Sequence, residues 1–348
     1  MRPMRRGRAF GAATLVAVGL SLASAASASA AVRAGTLNLY IGSDVTQAVA
    51  APDVPSLEAA AGNIYREVLA SNPKDRLKIQ ARLIKRQRPD VIGVQEVETV
   101  YSGPKGDPAP ATDVVFDYER LLRKALRKRN VPYRAAVRVT NVDVEAPTDA
   151  GLDVRLVDHD LLLVRNGRGI KVQRTGGANF DTALEVPLAG GALGTLRIPR
   201  GYVEANAKIR GDRLHVVNTH LEAFVASTRN AQAEELLAPD GPLDSNRPVI
   251  LLGDLNSAPG GSSSGDSAEA YEMMLASGLA DRGVEQSTCC WDADLLGGAL
   301  TTRIDHVLTT PSVTERSAKR TNGGNAPLTP AGQFPSDHAG VFSVLRAP

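Results

Sequence analysis

Cysteine, aromatic residues and net charge are all scarce in this chain. Its 348 residues hold two cysteines, one tryptophan and a formal net charge of +2. The cysteines are neighbours, Cys289 and Cys290. Adjacent cysteines do not staple distant segments, so no disulfide framework holds the fold. They form a vicinal disulfide, stay reduced, or pack as small apolar groups. No spaced Cys/His ligand pattern is present, which excludes a structural zinc site built on cysteine. The near-zero charge gives no global attraction to nucleic acid, and any such attraction is left to local basic patches. Apolar runs of about 20 residues, the length that spans a bilayer, are also missing.

The first 30 residues stand apart from the rest. Arg2, Arg5, Arg6 and Arg8 precede an apolar stretch from Ala12 to Leu22, and small residues close the segment at Ala28-Ser29-Ala30. That is the layout of a secretory signal peptide with cleavage near Ala30. Its removal takes away four arginines and no acids, leaving 36 basic against 38 acidic residues, a net of −2. Residues 31–348 suffice for one large domain with its own core. A secreted monomer without a stable membrane span is expected.

Strand-like and helical patterns interleave along this domain. Thr36–Ile41, Asp90–Gln95 and Pro248–Leu252 are short apolar runs of buried-strand character. Residues 55–71 and 75–87 carry helical apolar spacing, broken at Asn72-Pro73, and Pro89 stops the second helix. Residues 98–112 are Gly/Pro-rich and are expected to be loop, with a basic helix over 115–129. The stretch 133–220 is strand-rich, with clear runs at Tyr133–Val139, Asp160–Val164, Glu204–Ile209 and Leu214–Asn218. Ser227–Leu237 and 267–277 are helices, and Ile304–Leu308 and Ala339–Leu345 are the last strands. Gly260–Gly265 is a flexible loop. The lysines and arginines of 74–88 and 115–129 are taken as solvated faces. Interleaving with hairpin-like pairs favours an α/β fold with mixed sheets.

Polar residues at the ends of these apolar runs carry the chemistry. Gln95-Glu96 ends one strand, and a carboxylate there needs compensation, for which a hard divalent cation is suited; a capping or salt-bridged Glu is the other reading. Asn218-Thr219-His220 ends another, placing an imidazole that either shuttles a proton and meets a phosphate or satisfies the core. In Gly253-Asp254-Leu255-Asn256, Asp254 and Asn256 are expected on one face of an extended pair, a carboxylate and an amide suited to positioning water and holding a phosphoryl oxygen; an Asp/Asn turn after the strand is the other reading. Arg303 and Asp305 are expected on one strand face, with His306 on the other. Ser336-Asp337-His338 precedes the last strand. A catalytic histidine needs a carboxylate to fix its tautomer, and Asp305 is the candidate partner of His338, leaving Asp337 for a metal.

Taken in order, Asn38, Gln95-Glu96, Asn218-Thr219-His220, Gly253-Asp254-Leu255-Asn256, Arg303-Ile304-Asp305 and Ser336-Asp337-His338 resemble the endonuclease/exonuclease/phosphatase superfamily. That group includes pancreatic-type deoxyribonucleases, apurinic-site endonucleases, neutral sphingomyelinases and inositol-polyphosphate phosphatases. The resemblance spans about residues 34–346. It implies a four-layer sandwich of two packed mixed β-sheets flanked by helices. It also implies a Mg²⁺-dependent hydrolase of phosphate esters, with Mn²⁺ or Ca²⁺ as substitutes. By the same likeness Glu96 is the main metal ligand, with Asn38 and Asp337 close by. Asp254 then directs the attacking water, Asn256 holds the phosphate, and His220, His338 and Asp305 handle protons or phosphate. Asp160 is the candidate partner of the strand-end His220, with a simple turn at 157–160 as the favoured other reading. Trp291 either lines the substrate mouth or belongs to the core, and His159, His215 and His306 are structural or exposed.

Substrate identity separates the remaining readings. A nuclease needs a basic groove, a lipid phosphodiesterase needs exposed apolar loops, and a phosphomonoesterase needs a tight cationic pocket. The substrate is accordingly a nucleic acid, a phospholipid or a small phosphodiester, with a nuclease-like phosphodiesterase favoured. A non-catalytic binding module on the same scaffold would have eroded motifs, whereas the carboxylates, amides and histidines are all present.

Overall fold

The computed structural model describes residues 1, 31–167, 169–261 and 267–348. The signal-peptide expectation and most of the Gly260–Gly265 loop lie outside the described residues. Two large mixed sheets carry the fold, one of eight strands and one of six. In the first, the strands Val32–Asn38 and Val91–Gln95 run parallel at its centre, between antiparallel Val341–Arg346 and Leu152–Arg165. In the second, Asp212–His220 and Val249–Asp254 run parallel, with antiparallel Gly201–Ile209 and Asp305–Thr309 outside them. The parallel pairs are buried on both faces, which is why they read as continuous apolar runs.

Side-chain alternation divides these strands among three cores. Val91, Leu162 and Val164 from the first sheet meet Val216, Ile250, Leu252 and Val307 from the second in the central core. On the far side of the first sheet, Leu37, Ile92 and Val94 pack on Leu77, Ala81 and Ile84 of the helix Pro73–Gln87, and on Leu122 and Leu126 of the helix Tyr118–Arg127. On the far side of the second, Val217, Leu251 and Leu308 pack on Ala233 and Leu236 of Ala226–Leu237, and on Ala270 and Met274 of Glu269–Ala276. The result is helix, sheet, sheet, helix, the four-layer arrangement expected. Among the described residues no helix is long and apolar enough to cross a membrane.

The central core turns polar toward one end. Gln95 Nε2 donates to Asn218 Oδ1 at 2.5 Å and to Thr36 Oγ1 at 3.0 Å, joining the two sheets across their inner faces. Asn218 Nδ2 in turn donates to the carbonyls of Leu161 and Val94, at 3.1 and 3.4 Å. All three side chains are fully buried. Gly93 makes room for the contact, because a Cβ there would lie 2.1 Å from Asn218 Oδ1. Gln95 and Asn218, met in the sequence as members of catalytic-looking motifs, thus work as the clamp between sheets.

Three expectations are corrected. Residues 98–112 are not all loop: Thr99–Pro104 forms a strand of the first sheet, between Leu152–Arg165 and the edge strand Asp113–Asp117. Gly103 and Pro104 lie past the end of the ladder to Asp113–Asp117, which stops at Ser102, so they pair on one side only. The basic helix begins at Tyr118 rather than 115, since the Asp117 carboxylate caps the Arg120 N–H at 2.8 Å. Arg76 is not on a solvated face. It is fully buried and donates to the carbonyls of Leu39, Tyr40 and Ser71, anchoring the loop that follows the first strand. The strand-rich middle is also longer than its apolar runs, with Tyr133–Pro147 and Leu152–Arg165 forming one long hairpin.

Removing the inter-sheet amide should be costly. Asn218→Ala removes one of the two acceptors of Gln95 Nε2 and the side-chain donor to two carbonyls, and we expect a loss of about 2–3 kcal/mol in urea unfolding.

Candidate active site

The catalytic candidates sit at one end of the sandwich, just beyond the polar clamp. Asn38 ends the first strand, Glu96 follows Gln95, and His220 and Asp254 end the two parallel strands of the second sheet. His220 and Asp254 are register partners, as are Asp254 and Asp305. Ser336-Asp337-His338 arrives from the loop before the last strand. Strand ends of the two sheets therefore converge, and all the groups but those of the Ser336–His338 loop are set by strand ends.

Asn38 joins the sheets chemically. Its Nδ2 donates to Glu96 Oε1 at 2.8 Å and to Asp254 Oδ2 at 3.0 Å, and its Oδ1 accepts from the Tyr40 N–H at 2.8 Å. The Tyr40 bond fixes which way the amide faces. Glu96 Oε2 accepts from the Ile41 N–H at 2.9 Å. Tyr40, Glu96 and Asn256 all adopt left-handed backbone, with φ of 60, 51 and 48°. Non-glycine residues in that region are strained, and their clustering here is typical of functional sites.

His338 and Asp305 pair as the sequence suggests. His338 Nδ1 lies 2.9 Å from Asp305 Oδ2 and 3.6 Å from Asp254 Oδ2. Ser336 Oγ donates to the Asn38 carbonyl at 2.9 Å and accepts from the His338 N–H at 3.1 Å. Thr288 Oγ1 accepts from the N–H groups of both Ile304 and Asp305 at 3.1 Å, steadying the carboxylate from behind. On the other side His220 Nε2 is 3.7 Å from Asp254 Oδ2, so Asp254 lies between two imidazoles.

The two histidines are driven apart electrostatically. Burial depresses His220 well below the usual imidazole range, and Arg200 and His338 reinforce this. Burial also works against charge on His338, but Asp305, then Asp337 and Asp254, outweigh it and hold its imidazole well above that range. Asp254 is pushed up to about 7, chiefly by burial, with Asp305 adding to the rise. Asp337 likewise reaches about 7 by burial, with Glu96 contributing. Titratable groups separated in this way mark acid and base roles.

The donor set fits a hard divalent cation. Strand ends of both sheets and the loop before the last strand bring Glu96, Asp254, Asp305 and Asp337 near one another, and buried Asp305 Oδ1 has no hydrogen-bond partner. Ligand atoms of Asp254, Asp305 and His338 lie within 4.8 Å of one another. A dry cluster of carboxylates is costly without a positive charge beside it, and oxygen donors of this kind suit Mg²⁺, Mn²⁺ or Ca²⁺.

Several residues lie elsewhere than expected. Asp254 and Asn256 are not an extended pair, because the strand ends at Asp254 and Asn256 turns left-handed. The Asn256 N–H donates to Asp254 Oδ1 at 3.0 Å, and its Nδ2 to the Leu221 carbonyl at 2.9 Å. Asp160 does not partner His220. It bonds Asn141 at 2.9 Å, and the Nδ1 of His220 faces Arg200 Nη1 at 3.4 Å instead. Strand direction explains this, since Asp160 and Asp158 both point to the Asn141 amide across the hairpin. Arg303 and His306 both turn toward Asp281 and away from Asp305, since the strand starts only at Asp305 and alternation does not reach Arg303. His306 is buried with Nε2 on the Ser257 carbonyl, and His215 on that of Pro242, so both are structural. Trp291 is half-buried and stacks on Phe334 with centroids 4.0 Å apart. Arg200 is the site-flanking residue that sequence reasoning missed. It stands 3.7 Å from both Asp158 and Glu222, and its local sequence, Pro199-Arg200-Gly201, carries no motif that would flag it.

Buried strand ends at a two-sheet junction, with an Asp–His pair, an Asp between histidines and a carboxylate cluster, are an arrangement suited to an α/β-sandwich phosphoesterase. A family model described as the Endonuclease/Exonuclease/phosphatase family matches residues 63–338, and the chain belongs to that family of phosphoesterases. Solved structures share the fold at low identity. An endonuclease/exonuclease/phosphatase family protein from Bacteroides thetaiotaomicron matches with a TM-score of 0.55 and 16% identity, covering 91% of this chain and 98% of its own. A mannosyl-6-phosphatase from the same organism gives 0.52 and 17%, covering 90% of this chain and 99% of that one. TDP2 from D. rerio, complexed with a single-strand DNA product, gives 0.52 and 16%, covering 90% and 98%. No curated protein sequence matches the chain.

Asp281 tests the electrostatics beside the site. Burial alone would raise its carboxyl, but the His306 imidazole 3.6 Å away and hydrogen bonds from Arg303 and the Gly283 N–H hold it well below its ordinary value of 3.8. Its stabilisation is therefore present above that value and fades as pH falls toward the lowered one. Asp281→Asn should cost about 2–3 kcal/mol at pH 7. In urea unfolding the gap to wild type should narrow at pH 3.

Proposed function

We propose that this protein is a secreted, Mg²⁺-dependent phosphodiesterase of nuclease-like type, in which water attacks the phosphorus directly. The observation that carries this reading is Asp254. It is buried between two histidines, hydrogen-bonded by Asn38 and pushed up to about 7. A carboxylate set between two imidazoles and aimed by an amide is placed to take a proton from water.

Diester hydrolysis needs in-line water, neutralised phosphoryl oxygens and help for the leaving oxygen. Glu96 and Asp337, with Asn38 beside them, are the groups that would hold Mg²⁺. When bound, that ion supplies Lewis-acid stabilisation of charge on the phosphoryl oxygens. Asp254 takes the proton from water, and Asn38 keeps its carboxylate aimed. His338, held protonated by Asp305, donates through Nε2 to the phosphate or the departing oxygen. Neutral His220 and the Asn256 amide hold a phosphoryl oxygen without adding charge. Such donors are each worth on the order of 10²-fold in rate.

A diester is favoured over a monoester by the charge beside the site. Arg200 is the guanidinium against His220, and it is already matched by Asp158 and Glu222. A dianionic monoester would find little spare positive charge from this chain's own side chains. Secretion is proposed from the basic, apolar and small-residue order of residues 1–30.

Two outcomes check these statements. His338→Ala and Asp254→Ala should each lower hydrolysis of bis(p-nitrophenyl) phosphate by about 10²–10⁴-fold, with far-UV circular dichroism unchanged. EDTA should abolish wild-type turnover, and Mg²⁺ should restore it. Turnover indifferent to EDTA would overturn the metal-assisted reading. For export, intact mass of protein recovered from the medium should correspond to a chain starting at Ala31, whereas retention of residues 1–30 would contradict cleavage.

A further inference from the structure

The cysteine pair approaches the catalytic histidine from outside the carboxylate cluster. Cys289–Trp291 forms one strand of a short hairpin with Gly298–Thr302. Backbone bonds fasten this hairpin to the His338 segment on both sides of the pair. The Ala339 N–H donates to the Thr288 carbonyl at 2.7 Å, and the Trp291 N–H to the Asp337 carbonyl at 3.0 Å. Cys290 Sγ lies 3.9 Å from His338 Nε2. Ligand atoms of Cys289, Cys290 and His338 all fall within 4.8 Å of one another. The two sulfurs are joined as a vicinal disulfide, and Cys290 is exposed while Cys289 is buried.

We propose that reduction of this disulfide creates a second metal site, a Cys289–Cys290–His338 centre for a thiophilic divalent cation such as Zn²⁺. Two thiolates and an imidazole are the donors that select Zn²⁺ over Mg²⁺, and exposure at Cys290 leaves water for the fourth position. His338 Nδ1 is engaged by Asp305, leaving Nε2 to ligate, which is the carboxylate–histidine–metal arrangement. The spacing argument from sequence excludes a structural zinc site of paired cysteines. It does not foresee this one, because the third ligand comes from 48 residues away.

The chemistry balances with a dithiol reductant. The dithiol gives two electrons and two protons and closes to its own disulfide, while the Cys289–Cys290 bond breaks and two S–H bonds form. Binding Zn²⁺ then replaces the two thiol protons and the Nε2 proton of His338, which pass to solvent. His338 Nε2 is thereby capped, and the protein becomes a phosphoesterase inhibited by Zn²⁺ only when reduced. The inhibition rests on the role given to His338 above, but the site itself rests on the three ligand positions alone.

Co²⁺ spectroscopy tests the site without reference to activity. The full chain is reduced with a dithiol, freed of it by gel filtration without air, and titrated with Co²⁺. One equivalent should produce a near-ultraviolet thiolate-to-cobalt band, weakened in His338→Ala and missing from the oxidised protein and the Cys289→Ser/Cys290→Ser variant. No band in reduced wild type, or a band retained in the double variant, would overturn the site. One equivalent of Zn²⁺ should then lower phosphodiester turnover by about 10²-fold in the reduced wild type, and leave the oxidised protein and the double variant active. Equal inhibition of reduced wild type and double variant, with the band present, would overturn the inhibitory role while leaving the site in place.

Discussion

Gln95 and Asn218 meet across the inner faces of the two sheets, and the site depends on that meeting. Apolar packing between sheets is non-directional and tolerates sliding. A buried amide pair is not tolerant, because any slip leaves polar atoms unpaired in a dry layer. The bond at 2.5 Å, the space left by Gly93 and the two carbonyls held by Asn218 set one sheet against the other. One residue beyond each partner, or two, the same strands deliver Glu96 and His220. The catalytic spacing therefore inherits its precision from a structural contact next door.

The junction also explains the electrostatics. Strand ends from both sheets bring carboxylates together where water is excluded, so burial raises Asp254 and Asp337 into the neutral range. Asn38 offsets part of that cost by donating to Glu96 and Asp254 at once. Asp305 keeps His338 charged, and Arg200 helps keep His220 neutral. Left-handed backbone at Tyr40, Glu96 and Asn256 aims these groups at a further cost in strain. Stability is thus given up locally for a preorganised field, the arrangement that phosphoryl chemistry rewards most.

Much of this was legible in the sequence because the buried parallel strands announce themselves. Val91–Gln95 and Val249–Asp254 are short apolar runs, and the residues that end them are the ones the site uses. The Asp305–His338 pair followed from the need to fix an imidazole tautomer. What was not legible has a common cause. The turn at Asn256 depends on a positive φ that a non-glycine residue does not advertise. Arg303 lies just outside its strand, so alternation assigned it to the wrong face. The partner of His220 is decided by packing between the 133–165 hairpin and Arg200, which no local pattern encodes. The two strands after residue 98 are hidden because glycine and proline there read as loop, while Arg76 is hidden among neighbours that do face water.

In the proposed mechanism water, directed by Asp254, attacks phosphorus in a single step. The most direct measurement is the stereochemical course at phosphorus, using a chiral phosphorothioate diester hydrolysed in oxygen-18-labelled water with Mg²⁺ present. Single in-line displacement gives inversion, with the label on phosphorus. Retention of configuration, which signals a covalent phosphoryl-enzyme on a residue such as His338, would contradict it, as would label appearing in the released alcohol.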